Sequence, residues 1–361
     1  MGFVALADPI RHSVPGAVAL CRQAGIRVVM ITGDFAGTAR EIARQAGLDS
    51  RRVLTGNEIA AMDDAALARA VKGVNVFARI APQQKLRLVT AYKAAGEVVA
   101  MTGDGVNDAP ALKSAHIGVA MGRRGTDVAR EAAALVLLED DFASIVQTVR
   151  LGRRIYDNIR NAMRYIVSVH VPTAGMAFLP VILGWPLLLF PVHVVFLEFV
   201  IDPACSIAFE AEHTDPGAMH RPPRRPGDRL FDRRMLGGSV LLGASLLAAT
   251  VAVYAWAVAA GRSEAETRAL GFVTIVVGNL ALILVFRSQR RPMLRTLLEP
   301  NPAFWTIVAG TLAGLLGVIY VPAIAELFRF APVAPGDLAV AAGAALLGVA
   351  WYDLVKLARR A

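Results

Sequence analysis

Residues 101–112 read MTGDGVNDAPAL, with Asp104 and Asp108 four apart in a Gly-rich turn after the apolar run EVVAMTG. Carboxylates offer hard oxygen ligands suited to Mg²⁺. Beside a phosphate, such an ion neutralises the charge that moves during phosphoryl transfer. Gly103 and Gly105 permit a tight turn and close backbone approach. Thr32 and Gly33, in MITGD (30–34) with Asp34, supply donors for phosphate oxygens, and Lys85 in APQQK supplies a positive charge. Taken singly, a TGD is an ordinary turn and a lysine after a proline is ordinary surface. Together, each near the end of an apolar run, they form a more specific pattern.

Four apolar runs carry these residues: 27–34, 74–82, 97–105 and 116–122. Amphipathic stretches lie at 36–48 and 82–96. Strands alternating with helices predict a parallel α/β sheet. Continuously apolar strands predict burial on both faces, with the chemistry beyond their carboxyl ends.

The composition sets this half apart from the rest. Of 361 residues, 55% are hydrophobic, and the mean hydropathy of +0.50 is too high for an ordinary soluble protein. Long apolar runs dominate from Tyr165 onward. The expected organisation is a cytoplasmic domain at 1–150, a linker helix at 151–164 and a membrane domain at 165–361. The opening MGFVALADPIRHSV lacks the basic start and apolar core of a signal peptide, so the first half is expected to stay cytoplasmic. Cys21 and Cys205 are too far apart in sequence and context to suggest a disulfide or a paired-cysteine metal site.

A bilayer core takes about 20 apolar residues per helix. Six spans are expected, near 165–184, 187–209, 236–260, 269–286, 303–325 and 338–355. The loops that would then face the cytoplasm hold RPPRRPGDRLFDRRM, RSQRRPMLR and KLARR, the opposite loops only Arg262, Arg268 and Arg329. This follows the positive-inside bias and places the C-terminus in the cytoplasm. The net charge of +9 is thereby topological, with some lipid contact, rather than a nucleic-acid footprint.

Within VVFLEFVIDPACS (194–206), Glu198 and Asp202 share a helix face. Ionisable groups at membrane depth face a site or one another. Pro203 frees nearby carbonyls, as at ion sites built on broken helices. Pro172 and Thr173 offer the same beside His170, although a lone histidine can equally satisfy a carbonyl. Asn279 is either a ligand or an interhelical hydrogen-bonding group. Cys205 is a soft ligand or, more commonly, packing.

MITGD (30–34), ARIAPQQK (78–85), MTGDGVNDAPALKSAHIGVAMG (101–122), GTDVAREAAALVLLEDDFASIV (125–146) and GRRIYDNIRNAMRY (152–165) together carry a family resemblance. The chain resembles the C-terminal part of a type II-like P-type cation-transporting ATPase, within the haloacid dehalogenase superfamily. The resemblance implies Asp104 as an Mg²⁺ ligand, Lys85 as the phosphate-binding lysine, and Thr32, Gly33, Asn107 and Asp108 as phosphate-site residues. It implies ATP as a cofactor, bound by a nucleotide domain that these residues do not contain. Six helices after the phosphorylation domain are similar to the pumps that move Ca²⁺, Na⁺, K⁺, H⁺ or Mg²⁺. Ca²⁺ is the first expectation, with Na⁺, H⁺ or Mg²⁺ as alternatives. The continuous linker helix would join the phosphate site to the ion site.

One family element is missing: no aspartate here is followed by Lys-Thr-Gly-Thr. The expected fold is therefore an incomplete haloacid dehalogenase-like parallel sheet lacking its nucleophile strand, followed by six transmembrane helices. Two strand edges would close on each other or accept the strand from a second chain. The expected function is that of a pump portion inactive alone. The alternatives are a membrane-tethered phosphatase of the same superfamily and a non-catalytic remnant or regulatory subunit.

Overall fold

A computed structural model describes residues 9–203, 207–215, 217–225, 227–289 and 291–358, with the backbone alone at Asp202. Cys205 lies outside the described residues. The chain divides into two compact units. The first holds the residues up to Arg153 together with Thr214–Gly227; the second holds Arg154–His213 and the residues from Asp228 onward.

The first unit runs α1 (Ser13–Gln23), β1 (Met30–Ile31), α2 (Ala36–Gln45), β2 (Val53–Thr55), α3 (Gly56–Ala60), α4 (Asp64–Ala70), β3 (Val76–Ala78), α5 (Pro82–Ala94), β4 (Ala100–Gly103), α6 (Ala109–Ser114), β5 (Ile117–Met121), α7 (Asp127–Ala132) and β6 (Leu135–Leu137). The strands form two parallel three-stranded sheets, ordered β1-β3-β2 and β4-β5-β6. In register, Ile31 faces Phe77 and Thr102 faces Val119. Double-sided burial holds for β3, whose three residues are all buried, but not for β1 or β4, which lie at sheet edges and are partly exposed. A strand with one neighbour cannot be covered as a central one is. These two edges do not pair with each other among the described strands. The short strands β2 and β6 were not expected. Each is only three residues long and takes its place through its neighbour.

Helix α5 bridges the sheets. Leu88, Ala91 and Tyr92 pack into the core around Phe77 and Leu54, while Val89 packs with Met101, Ala111 and Leu112. Burying Leu88 contributes roughly 2 kcal/mol. Pro82 opens the helix, where its missing N–H costs nothing. Gln84 fastens the entry: its Oε1 accepts from Ala81 N at 2.9 Å and its Nε2 donates to Gly56 O at 2.7 Å. Gly56 is obligatory, since a Cβ there would lie 2.3 Å from Arg79 O.

Segment 214–227 falls in the first unit rather than standing as a simple loop. Met219 packs with Ala17, Cys21, Ala24 and Val146. Arg153 donates to the carbonyls of Ala218, Arg221 and Ala24 at 2.7–2.8 Å.

Helix α8 (Phe142–Leu183) is continuous through the linker and the first apolar run. It is followed by α9 (Pro191–Pro203), α10 (Arg233–Ala259), α11 (Glu264–Arg287), α12 (Met293–Leu297), α13 (Pro302–Tyr320), α14 (Pro322–Leu327), α15 (Pro335–Ala350) and α16 (Tyr352–Ala358). Among the described residues, five helical segments are long and apolar enough to cross a membrane: α8, α10, α11, α13 and the stretch Pro335–Ala358. The segment expected at 187–209 contains the shorter helix α9. Helix α11 begins earlier than expected because Ser263 and Glu266 form a capping box. It is also the buried centre of the second unit. The run expected at 303–325 divides at Val321, which is extended before Pro322, as sterics before proline require.

Candidate phosphate and ion sites

The strand-end residues form a continuous set of contacts in the first unit. After β1, Thr32 Oγ1 donates to Asp34 Oδ2 at 2.8 Å, and Asp34 N donates back to Thr32 Oγ1 at 3.1 Å. The carbonyls of Thr32 and Asp34 accept from Ile80 N and Arg79 N. The β1 turn is thereby held against the segment that enters α5. One turn into α5, Lys85 Nζ lies 2.6 Å from Asp108 Oδ1. The other oxygen of Asp108 accepts from Asp104 N and Gly105 N, both at 3.2 Å. Charge-assisted bonds of this kind are the strong ones. A Cβ on Gly103 would lie 2.6 Å from Asp108 Cβ, so only glycine admits this carboxylate.

Asp108 is buried, whereas Asp104, Asn107, Gly33 and Asp34 are exposed. The structure thus brings Lys85, Asp108 and the 104–105 backbone together and leaves the Asp104 carboxylate facing outward. Among the described residues no group of three or more His, Cys, Asp or Glu side chains could hold a metal. Mg²⁺ does not require one, since it keeps several waters and takes one or two carboxylates plus substrate phosphates. The donor set of Asp104 and Asp108 fits that pattern. Asp108 is already paired with Lys85, which fixes its direction.

Arg79 was not singled out from the sequence. It has φ of 52°, the left-handed region that non-glycine residues rarely occupy and that concentrates at functional sites. Its guanidinium lies over the exposed Phe35 ring, 5.2 Å from the centroid. Its charge inside the apolar run 74–82 was the available signal.

Nearby, Asp140 is held ionised below its ordinary range. Burial opposes this, but the N–H groups of Arg123, Arg124 and Gly122 and the charge of Arg11 outweigh it. It ties residues 122–124 to the start of α8.

The membrane candidates are arranged differently. Glu198 is half-buried on α9, and Asp202 follows one helical turn later. His170 is exposed on α8, and its Nδ1 lies 2.8 Å from Ile166 O. Thr173 Oγ1 donates to Val169 O at 2.9 Å. Both are bonded within their own helix, so His170 satisfies a carbonyl in this structure. Pro172 deprives Ser168 O of its helical donor, yet that carbonyl is packed against α10, where a Cβ on Gly243 would lie 2.4 Å from it. Asn279 is wholly buried on α11 with neither side-chain polar atom hydrogen-bonded. Among the described residues, His170, Thr173, Glu198 and Asn279 make no hydrogen bond to one another.

A buried carboxylate in this unit, Glu212, is held through one of its two oxygens. Glu212 Oε2 accepts from Arg287 Nε at 2.7 Å and from Asn301 Nδ2 at 3.1 Å. Arg287 also donates to Thr296 O, and its guanidinium lies over Phe304.

Two family models match the chain: a haloacid dehalogenase-like hydrolase over residues 1–116, and the C-terminus of cation transporting ATPases over residues 186–358. A calcium-transporting ATPase of Bacillus subtilis is 35% identical over 93% of this chain and 38% of its own length. A probable cation-transporting ATPase F of Mycobacterium tuberculosis is 38% identical over 92% of this chain and 37% of its own. The calcium-transporting ATPase type 2C member 2 of Mus musculus is 33% identical over 99% and 38%. The chain therefore spans less than two-fifths of the length of these curated relatives.

Proposed function

Since the chain belongs to the P-type cation-transporting ATPases and is a multi-pass membrane protein, we propose that it supplies the C-terminal part of an ATP-driven cation pump. Asp104, with Asp108, holds Mg²⁺ beside the transferred phosphoryl group. Thr32, the Gly33 amide, Lys85 and Asn107 orient and neutralise its oxygens, while Asp34 braces the Thr32 turn. The observation that carries this reading is the Lys85–Asp108 pair, whose second carboxylate oxygen is fixed by two backbone donors. Mg²⁺ supplies charge neutralisation when bound; the side chains supply position.

The phosphate acceptor, on this reading, is an aspartate on a strand from outside these 361 residues, inserted between the edges β1 and β4. The unpaired, half-exposed edges support it. ATP binds outside these residues as well. Helix α9 serves as the sixth span, and Glu198 and Asp202 bind the transported ion, with Asn279 turned to the same path. The relatives' names favour Ca²⁺. Helix α8, unbroken from Phe142 to Leu183, links the two chemistries. The first unit and the C-terminus lie in the cytoplasm, as the basic loops favour.

Labelled ATP tests this. The chain alone should form no acid-stable phosphoenzyme. Combined with a polypeptide carrying the N-terminal part of such a pump, it should form one that Ca²⁺ modulates. Phosphoenzyme on the chain alone, or none in the combination, overturns the reading.

A further inference from the structure

His193 was not selected by the sequence, and the phosphate and ion sites do not use it. It lies in the first turn of α9 and is wholly buried. Its Nδ1 accepts from Phe190 N at 2.8 Å, and its Nε2 is 2.9 Å from Phe328 O. One ring nitrogen must accept and the other must donate, so this geometry admits only the neutral Nε2–H imidazole. Phe190, Phe272, Phe328 and Phe330 surround the ring at centroid distances of 4.9–5.8 Å.

The charged groups on the adjoining elements are Glu264, Glu266, Arg268 and, at its far end, Arg287 on α11, Glu326 on α14 and Arg329 after it. Arg268 donates to Leu187 O and Arg329 O, and both guanidiniums lie over Phe190. On the α10 side, Tyr254 Oη donates to Pro186 O. Among the described residues no carboxylate bonds the imidazole. A second ring proton would therefore meet the Phe190 N–H and add a cation beside two arginines. Arg329 itself sits at φ 53°, so the 328–330 segment is held in a conformation that its contacts must maintain.

We propose that His193 is a proton-released clasp. Neutral, it caps the start of α9 through Phe190 N and joins it to segment 328–330 through Phe328 O; when a proton from solvent binds Nδ1, the Phe190 cap is lost and the imidazolium, placed beside Arg268 and Arg329, pushes the start of α9 from that segment. Glu198 lies five residues further along this helix. The clasp stands on its own geometry, and only its effect on ion release rests on the transport reading above. Acid on the side bearing the α8–α9 connection then promotes release of ions from α9.

The test uses the full chain in detergent micelles. Nitrogen-15 NMR of the histidine rings should show His193 as the Nε2–H tautomer through the pH range, around 6.5, where exposed histidines titrate. Trp185, stacked on Tyr254 with centroids 5.6 Å apart, reports the neighbouring segment. Its fluorescence should show an acid transition that disappears in His193→Gln and His193→Asn. A variant with the other five histidines replaced by Gln keeps the NMR measurement specific if those two fail to fold. Ordinary titration of His193, or an unchanged Trp185 transition in His193→Gln, overturns the clasp. Absence of Ca²⁺ binding in wild type and variants alike, with the transition present in wild type and lost in His193→Gln, would instead count against the transport reading.

Discussion

At the ends of β3 and β4, side chains far apart in sequence meet: Lys85 and Asp108, separated by 23 positions, form a 2.6 Å pair. Along α8, α9 and α11 the polar candidates stay apart. His170 and Thr173 bond to their own backbone, and Asn279 bonds to nothing. The difference follows from the elements. Strand-end loops carry polar residues beyond the carboxyl ends of parallel strands, and α5, packed on both sheets, brings the loop after β3 to the loop after β4. Helices in a bundle fix each side chain's height and direction separately, so convergence depends on the packing of several rods. Glu212 shows that the bundle can gather partners around a buried carboxylate, Arg287 and Asn301 meeting at its Oε2. Among the described residues Glu198 has no such set.

The comparison can be broken most severely at that buried carboxylate. Arg287→Met leaves Glu212 buried beside an apolar chain and should destabilise the second unit by about 3–5 kcal/mol, read as thermal unfolding in detergent. At the strand ends, Lys85→Met leaves Asp108 its two backbone donors and should cost about 1–3 kcal/mol. In the combined pump the same change should lower phosphoenzyme formation by roughly 10²–10³-fold. Asp104→Asn should match that loss of activity with little change in stability, because Asp104 is exposed. Equal stability losses for the two variants would contradict the division of roles.

Asn279 allows a sharper test. Burying an amide without partners is unfavourable, so Asn279→Leu should stabilise the chain by about 1–2 kcal/mol while weakening ion dependence of the combined pump. Stabilisation with unchanged ion dependence would leave Asn279 outside the ion path. Acid acts on the first unit through Asp140. Its ionised form is favoured by folding, so its contribution is complete above the ordinary carboxylate value, about 4. It is lost as pH falls through the lower folded value. Asp140→Asn should flatten that acid limb of the stability curve. The smallest effect is expected at Glu41. Its carboxyl is held at about 2 by the bonds from Arg44 and Gln45, but the pair is exposed on α2. Glu41→Gln should leave the unfolding temperature unchanged within error.

Much of the candidate phosphate site is legible in the sequence. MTGDGVNDAPAL and the TGD turn combine residue types, glycines and strand-end positions in a short window. Arg79 escapes such a reading because left-handed backbone at an arginine leaves no compositional trace. The strands β2 and β6 escape it because three residues carry no periodicity. Segment 214–227 looks like a basic loop, but Met219 and the carbonyls of Ala218 and Arg221 draw it into the first unit.

The sequence alone determined the alternation of strand and helix, the long apolar helices and the identity of the carboxylates, because hydrophobic period and turn chemistry are local. Tertiary structure decided that the strands form two sheets, that Lys85 pairs with Asp108, that α11 rather than α9 is the buried centre, and that His193 is enclosed by four phenylalanine rings. Those outcomes depend on which distant surfaces exclude water together, and a partner in space has no fixed distance along the chain.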